Sequence, residues 1–291
     1  MPYRLPSPPP TRVAVSARAD IGRQRSSMED AFLVADLATG LRYGSTAFAG
    51  TLETPGGVAL AALDAMDAWF CGSEAAHVSA DALRVHLSTA PLLEGDAAWR
   101  DHVRAAMSAA NQAILDAMAK PPFRRGMGCA ATLAVVRGDR LHLAQAGDTR
   151  AYVMRKGRLL QVTHDDSLIN DAHAQGLPPE QIARLPEHVI VKALGIKDSV
   201  DAAVSTVEIR AGDVILVCSD GLTTEVDDRA IERTLTAIAD PDEACLALLN
   251  QALRAGGADN IAILVARPEG DILRPPGPAD TLISAQPAIP C

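Results

Sequence analysis

The sequence lacks several patterns that would assign it to a class at once. Its five cysteines are scattered and include no C-x-x-C pair, which argues against a disulfide framework or a zinc site and favours a reducing compartment. The net charge is −9 and no run of Lys and Arg occurs, so nucleic acid is not an expected partner. No apolar run is long enough to span a membrane, and the Pro-rich start MPYRLPSPPPTR has no signal-peptide core. We therefore expect a cytoplasmic protein without a membrane partner.

Several catalytic signatures are absent as well. No arginine stands six residues after a cysteine, which excludes a C-x5-R thiol site. There is no G-x-x-x-x-G-K-[ST] loop, and the seven histidines show no H-x-x-x-H spacing. GMGCAA at residues 126–131 formally fits a dinucleotide-binding pattern, but it precedes a predicted strand instead of opening a helix. We reject that reading.

The sequence does contain an ordinary globular composition, arranged in blocks of predicted elements. Hydrophobic residues make up 48% and charged residues 22% of its 291 residues, so it can bury a sizeable core. Apolar spacings of three and four predict helices over 57–70 and 97–119. Turn signals at 137–139 and 156–157 predict two hairpins. Further along, the sequence predicts a buried strand in DVILVCSDG, helices over about 228–238 and 241–254 with Asp240 as an N-cap, and a final strand in DNIAILVAR.

Because strands and helices come in blocks and do not alternate strictly, the pattern favours the α+β class, with antiparallel sheets and helices packed outside. We expect a flexible lead-in over residues 1–12, one domain over 13–267, and a Pro- and Ala-rich tail over 268–291 that is disordered or loosely draped. The polar, weakly periodic segment over about 165–205 suits two short helices. It is either a lid beside a site or a plain connection.

Acidic residues stand where predicted buried strands begin or end. Since core strands deliver their ends to common rims, such residues can converge, and converging carboxylates repel one another unless cations lie between them. Carboxylates are the hard ligands that Mg²⁺ and Mn²⁺ prefer. The alternative is that each acid only accepts backbone hydrogen bonds in a turn. The residues concerned are Glu29, Asp30, Glu53, Asp148, Asp220 and Asp259.

The order of these segments resembles the metal-dependent protein Ser/Thr phosphatases, the PPM or type 2C family. RSSMEDAF resembles the family's R-x-x-x-E-D element, and GMGCAATLAVV followed by AQAGDTRAYV resembles its G-x-T-A and N-x-G-D-S-R strands. VTHDDSLIN resembles its T-x-D-H-S element. VILVCSDGLT and GGADNIAILV resemble its S-D-G and D-N signatures. The resemblance runs from about Val15 to Arg267.

The resemblance implies a central antiparallel β-sandwich flanked by helices on both faces, in four αββα layers, with two Mn²⁺ or Mg²⁺ ions at one end. It implies that Arg25 holds the substrate phosphate and that Glu29 and Asp30 bind the metals largely through water. Asp220 and Asp259 match direct metal ligands. The implied partner is a phosphorylated protein, dephosphorylated in opposition to a Ser/Thr kinase. The segment over about 165–205 matches the family's flap beside the active site.

One element departs from the family's F-x-x-V-F-D-G-H/M-G-G pattern. Aligned without a gap, FAGTLETPGG places Glu53 at the metal-bridging Asp and Thr54 at a Gly that offers its carbonyl. Pro55 then replaces the His or Met that is the family's candidate general acid. Glu keeps the charge but shifts the carboxylate outward by roughly 1.5 Å, which a strict Mg²⁺ geometry tolerates poorly.

Two functional readings therefore stand. The first is an active phosphatase in which a metal-activated water attacks phosphoserine or phosphothreonine without a covalent intermediate. The second is a pseudophosphatase of the same fold that binds phosphoproteins or acts in regulation, as the changes at residues 53–55 suggest. A third metal, which Asp148 would help to hold, is disfavoured because Thr224 stands where relatives often carry an Asp.

Overall fold

A computed structural model describes residues 10–66, 72–89, 93–120, 126–186, 189–278, 280 and 282. The strands of these residues are β1 (Thr11–Asp20), β2 (Ala31–Asp36), β3 (Ala47–Thr54), β4 (Val58–Met66), β5 (Gly128–Arg137), β6 (Arg140–Ala146), β7 (Arg150–Arg155), β8 (Arg158–Gln161), β9 (Ala203–Glu208), β10 (Val214–Cys218) and β11 (Ile261–Glu269). The helices are α1 (Gly72–Ser88), α2 (Gly95–Met118), α3 (Leu168–Ala174), α4 (Pro179–Ile182), α5 (Asp220–Thr223), α6 (Asp228–Ala237) and α7 (Pro241–Ala255).

The strands form two antiparallel sheets that face each other. The first sheet has the order β3-β1-β11-β10-β7-β8 and the second has the order β2-β4-β5-β6-β9. Apolar side chains of both sheets fill the space between them. Helices α1 and α2 cover the outer face of the second sheet, and α6 and α7 cover the first. The predicted α+β sandwich with four αββα layers is therefore confirmed.

β4 is a central strand with covered surfaces on both sides. Its residues from Val58 to Leu63 are fully buried, and β4 pairs with β2 and β5. A strand buried on both faces has no apolar and polar alternation, so its apolar residues also fit a helical spacing. The predicted helix over 57–70 is therefore wrong for Val58–Met66. Residues 67–70 lie outside the described part of the chain.

Most other predicted elements are confirmed. The helix predicted over 97–119 corresponds to α2. The two predicted hairpins are β5–β6 and β7–β8, and their turns contain Gly138 and Gly157 as expected. Asp240 caps α7, because its carboxylate accepts hydrogen bonds from the backbone N–H groups of Asp242 and Glu243. The segment over 165–205 contains two short helices, α3 and α4. Helix α1 was not predicted.

Both ends of the domain extend further than the sequence indicates. β1 begins at Thr11, inside the expected lead-in, and β11 continues to Glu269. Residues 270–278 and 280 lie against the domain, and we call them the C-terminal strap. Leu273 is buried in the sandwich core, and Asp280 accepts two hydrogen bonds from the guanidinium of Arg210. None of the described helices is long and apolar enough to cross a membrane.

Candidate metal and phosphate site

Four carboxylates meet at one rim of the sandwich. β2 pairs with β4 so that Ala31 lies opposite Leu63, which brings Asp30 and Asp64, one residue further, to adjacent positions. Asp148 follows β6, and Asp220 begins α5 directly after β10. Because antiparallel strands end alternately at the two rims, these four positions fall at the same end of the two sheets.

The pKa values of these carboxyl groups indicate how closely the charges are placed. Burial raises the pKa of Asp64 well above its ordinary range, and the charges of Asp30, Asp220 and Asp148 raise it further. Burial, with the charges of Asp220 and Asp259, raises the pKa of Asp30 to about 8, although a hydrogen bond to Ser219 opposes the shift. The pKa of Asp148 is raised to about 6, by burial and then by Asp220. Four carboxyl groups thus share one electrostatic environment.

The unsatisfied atoms of this cluster fit a divalent cation. Oδ2 of Asp30 and Oδ1 of Asp148 are buried, and neither accepts a hydrogen bond from the described residues. Burial and the neighbouring charges favour a proton on Asp64, and its interaction with Asp220 raises the pKa of Asp64 further. A hard cation can replace that proton and satisfy the buried oxygens. In the present side-chain arrangement, no group of three or more His, Cys, Asp or Glu in the described residues forms a ready ligand set.

A loop over residues 21–30 brings the candidate phosphate ligand to the same rim. Nη2 of Arg25 lies 2.6 Å from Oδ2 of Asp259, and 51% of the Arg25 side chain is exposed. The hydrogen bond to Asp259 is the largest cause that raises the pKa of Arg25, and the charges of Glu29 and Asp64 add to it. The guanidinium therefore lies beside the carboxylate cluster with one side open to solvent. Glu29 accepts a hydrogen bond from the Ser27 hydroxyl.

Asn260 fixes this loop to the start of β11. Its side chain is buried, and its Oδ1 accepts hydrogen bonds from the backbone N–H groups of Glu29 and Asp30. Its Nδ2 donates to the carbonyl oxygens of Ile21 and Ser27, at 2.9 and 3.0 Å. One amide thus satisfies four backbone groups and sets the position of the loop that carries Arg25. Sequence reasoning assigned it no role beyond the D-N signature.

The structure separates Glu53 and Thr54 from the carboxylate cluster, so their assignment as metal ligands is wrong. Glu53 lies opposite Arg12 in the β1–β3 pairing, and its exposed carboxylate is 3.4 Å from Nη1 of Arg12. The rim with the carboxylates lies beyond Asp20, at the other end of β1, which is about 26 Å away at 3.3 Å per residue. Thr54 is buried and its hydroxyl donates to Oδ1 of Asp36 at 2.6 Å.

Asp64 takes the position that the alignment gave to Glu53. β4 ends in L-D-A-M, so Asp64 and Met66 match the Asp and the His/Met of the family's D-G-H/M pattern, with Ala65 in place of Gly. The chain continues Asp67-Ala68 where the pattern has two glycines, and these two residues lie outside the described part. The signal that identifies the site is a carboxylate at the end of the apolar run VALAAL. The Gly56-Gly57 pair matches the two glycines of the family's pattern by coincidence. An ungapped alignment therefore places the motif at the end of β3 and not at the end of β4.

The remaining expected departure concerns the third metal. The Thr224 hydroxyl donates to the backbone oxygen of Asp220 at 2.8 Å. The neighbouring carboxylate of Glu225 accepts a hydrogen bond from the backbone N–H of Ala258, so it is directed to another loop. Asp148 therefore has no second carboxylate from either of these two positions.

The sandwich and its carboxylate rim define an αββα protein with an acidic site suited to divalent cations. The sequence family described as Protein phosphatase 2C matches residues 18–171, just over half of the chain. The chain belongs to the protein phosphatase 2C family, and the resemblance inferred from its motifs is confirmed.

Named relatives agree with this assignment. Over 163 residues the chain is 36% identical to the serine/threonine protein phosphatase PstP of Mycobacterium tuberculosis, which covers 56% of this chain and 32% of PstP. It is 30% identical over 142 residues to the serine/threonine phosphatase stp of Listeria monocytogenes, covering 48% of this chain and 56% of that protein. The chain thus matches between about a third and a little over half of the length of these relatives.

The solved structures extend the likeness to the whole sandwich. A structure of the PstP catalytic domain in complex with two manganese ions is 31% identical, with a TM-score of 0.71, and the match covers 89% of this chain and all of that chain. The Mycobacterium tuberculosis PstP/Ppp structure is 32% identical, with a TM-score of 0.71, covering 88% of this chain and 98% of that chain.

Proposed function

We propose that the chain is a metal-dependent protein serine/threonine phosphatase that hydrolyses phosphoserine and phosphothreonine. The observation that carries the proposal is the cluster of Asp30, Asp64, Asp148 and Asp220 at one rim, with the Arg25 guanidinium beside it. Burial and the neighbouring charges raise the pKa values of Asp30, Asp64 and Asp148. The family membership and the phosphatase names of the relatives support the same reaction.

The proposed cofactor is a pair of Mn²⁺ or Mg²⁺ ions. Asp64 replaces Glu53 as a candidate ligand, and Asp220 and Asp259 remain candidate ligands that would hold the ions. Asp30 and Glu29 stay predicted to act largely through water. Two manganese ions in the related PstP catalytic domain support this choice of metal. Such ions supply Lewis acidity at the phosphoryl group and activate water for attack.

The chain's own residues supply orientation and charge. Arg25 has free guanidinium N–H donors on its exposed side, which suit the oxygens of a phosphate monoester. If Arg25 turns its Nη2 from Asp259 to a bound phosphate, the Asp259 carboxylate is freed for a cation. Asn260 bonds to both ends of the loop that carries Arg25. Because Asn260 is adjacent to Asp259 in the chain, it also keeps this loop close to Asp259.

The proposed substrates are phosphorylated proteins, and the proposed counterpart is a Ser/Thr kinase that phosphorylates them. The pseudophosphatase alternative loses its main support, because residues 53–55 are remote from the carboxylate rim. Its remaining grounds are Ala65, the Asp67-Ala68 pair in place of two glycines, and Thr224. Ala65 keeps a backbone carbonyl, and the Thr224 change concerns only a third metal.

One pair of variants tests the proposal. Asp64→Asn removes a rim carboxylate with little change in volume. Glu53→Gln removes a carboxylate in the same way, but at the end of β3 that is remote from the rim. With Mn²⁺ present, we expect Asp64→Asn to lower the turnover of p-nitrophenyl phosphate and of a phosphothreonine peptide by about a hundredfold or more. Glu53→Gln should stay within about twofold of the parent, because an exposed ion pair contributes little.

The outcomes separate the readings cleanly. Mn²⁺-dependent turnover that is lost only in Asp64→Asn supports a working phosphatase centred on β4. Loss in Glu53→Gln with retention in Asp64→Asn would return the site to residues 53–55. No turnover in the parent at any Mn²⁺ concentration, with phosphopeptide binding retained, would favour the pseudophosphatase.

A further inference from the structure

The return limb of the flap, which we define as residues 189–201, has an unusual surface. Seven large hydrophobic side chains are exposed among the described residues, and three of them lie in this limb. They are Val189, Val191 and Ile196, with exposed fractions of 41%, 40% and 52%. Single exposed apolar residues are ordinary, but several on one short segment are typical of a binding surface.

A cavity of about 270 Å³ opens in the same limb. Val191, Ile196 and Val200 supply its apolar lining, and Lys192, Lys197 and Asp201 supply its charged groups. Nζ of Lys192 lies 3.0 Å from Oδ1 of Asp166, so part of its charge is neutralised within the protein. The cavity is therefore suited to an apolar group near mixed charges, and poorly suited to a bare anion or cation.

The limb that lines this cavity is held in place by residues next to the lining. Leu194 and Cys129 exchange two backbone hydrogen bonds, which attach the limb to the start of β5. The buried side chain of Asn111 on α2 accepts a hydrogen bond from Gly195 at 2.7 Å and donates to the carbonyl of Lys197 at 3.0 Å. The cavity thus exists before any ligand arrives, and binding there costs little ordering of the chain.

The cavity adjoins the carboxylate rim on two sides. A Cβ built on Gly128 would lie 3.1 Å from Cγ of Met66 and 3.3 Å from Cγ1 of Ile196, so both side chains lie against Gly128. Met66 is only two residues from Asp64 on β4. On the other side, Asp166 pairs with Lys192 and also accepts a hydrogen bond from the backbone N–H of Gly147, next to Asp148.

We propose that this cavity is a specificity pocket that receives an apolar side chain of the substrate polypeptide, two to four residues from the phosphorylated residue. The proposal rests on the proposed phosphatase function. An extended peptide advances about 3.3 Å per residue, so a side chain two to four residues from the phosphate lies about 7–13 Å along the chain, which suits a cavity that adjoins the rim. The occupant is an extended phosphoprotein segment. Its phosphate binds at the carboxylate rim, and a neighbouring apolar side chain binds in the adjoining cavity.

The test uses the full chain with Mn²⁺ and matched phosphothreonine peptides that differ only by Leu or Asp at each of positions two to four on either side. We expect at least one position at which Leu raises kcat/KM about tenfold over Asp. The variant Ile196→Asp should abolish that preference and leave p-nitrophenyl phosphate turnover unchanged. Val85→Asp is the matched control, since Val85 is 51% exposed on α1, and it should retain the preference.

A second measurement keeps the pocket testable apart from catalysis. Anisotropy of the fluorescein-labelled Leu peptide should report tighter binding than the Asp peptide to the parent, and no difference for Ile196→Asp. If p-nitrophenyl phosphate is not hydrolysed but this binding difference remains, the proposed function fails and the pocket stands. Equal kcat/KM and equal binding for both peptides would overturn the pocket. A change of oligomeric state in Ile196→Asp, with the peptide preference intact, would instead make this limb an interface between copies.

Discussion

Asn260 shows how much of the site depends on a residue that need not touch the substrate. Its buried amide bonds to four backbone groups of the loop over residues 21–30. Replacing Asn260 by Ala leaves buried donors and acceptors without partners, which typically costs about 1–3 kcal/mol for each such group. We expect Asn260→Ala to lower the midpoint of urea unfolding and to reduce turnover at least about tenfold, because Arg25 loses its fixed position.

The activity of Asn260→Ala should be measured well below its unfolding temperature, so that loss of fold and loss of position are distinguished. Gln251→Ala is the matched control, since that amide on α7 donates to the Thr234 hydroxyl on α6 and not to the loop over residues 21–30. It should change stability modestly and turnover hardly at all. Full activity of folded Asn260→Ala would show that the loop holds its position without the amide.

The sequence identified most of the rim at the level of single residues, and the reason is physical. A carboxylate directly before or after a buried strand stands out, as Asp30, Asp148 and Asp220 do. Glu53 has the same local appearance, because its strand β3 also ends in a polar turn. What separates them is which rim each strand end reaches, and that depends on the pairing of β3 with β1 across the chain. Local sequence carries no record of that direction.

At the scale of elements, the cap of α7 offers a clear measurement. Oδ1 of Asp240 accepts hydrogen bonds from the N–H groups of Asp242 and Glu243, both at 2.9 Å. We expect Asp240→Ala to lower the free energy of unfolding by about 1 kcal/mol. Glu94 at the N-terminus of α2 makes no such bond, so Glu94→Ala should change stability by only a few tenths of that amount. Equal effects in urea titrations of the two variants would contradict the capping account.

Elements with a strong local signal were predictable, and β4 was not. α7 combines an N-cap, a proline at its first position and a regular apolar face. β4 is rich in alanine, which favours helix, and the two layers that bury both of its faces remove the alternation that marks a strand. The strap is similar: its Pro-rich composition predicts disorder, yet Leu273 in the core and the Arg210–Asp280 pair fix it.

At the scale of the whole molecule, the end opposite the carboxylate rim has a distinct chemistry. The ring of His142 stacks on Trp99 at 5.4 Å between centroids, and the guanidinium of Arg137 lies 5.3 Å from the centre of the same indole. The pKa of His142 is lowered to about 4, mainly by burial; the charges of Arg137 and Arg140 add to this shift, and Asp96 opposes it. His142 is therefore neutral in the folded protein at neutral pH.

This depressed pKa predicts a pH dependence of stability. The unfolded chain has His at its ordinary pKa of about 6.5, so between about pH 6.5 and 4 the unfolded state binds more protons. Stability contributed by His142 is complete above that window and falls as the pH is lowered through it, by at most about 3 kcal/mol. Because burial also lowers the pKa of His86 and His102, their contributions have the same sign.

The variant His142→Gln isolates this contribution. We expect the stability advantage of the parent over His142→Gln to shrink as the pH falls from 6.5 to 4, since the variant has no proton to bind there. Guanidinium titrations at several pH values measure it, and the carboxylates of the rim cancel in the comparison. A difference that stays constant over this range would show that His142 keeps its ordinary pKa in the folded state.

β1 and β11 lie side by side, and Arg12 and Glu269, which are 257 residues apart in sequence, are joined by a 2.8 Å bond. Pairings of such high contact order form slowly, because a long loop must close before they gain any contacts. During synthesis, β1 cannot pair with β11 until β11 has been made. Until then, Asn260 is also absent, so nothing fixes the loop that carries Arg25 in this way. The rim is therefore completed last, and a nascent chain acquires its acidic site only when its sheet closes.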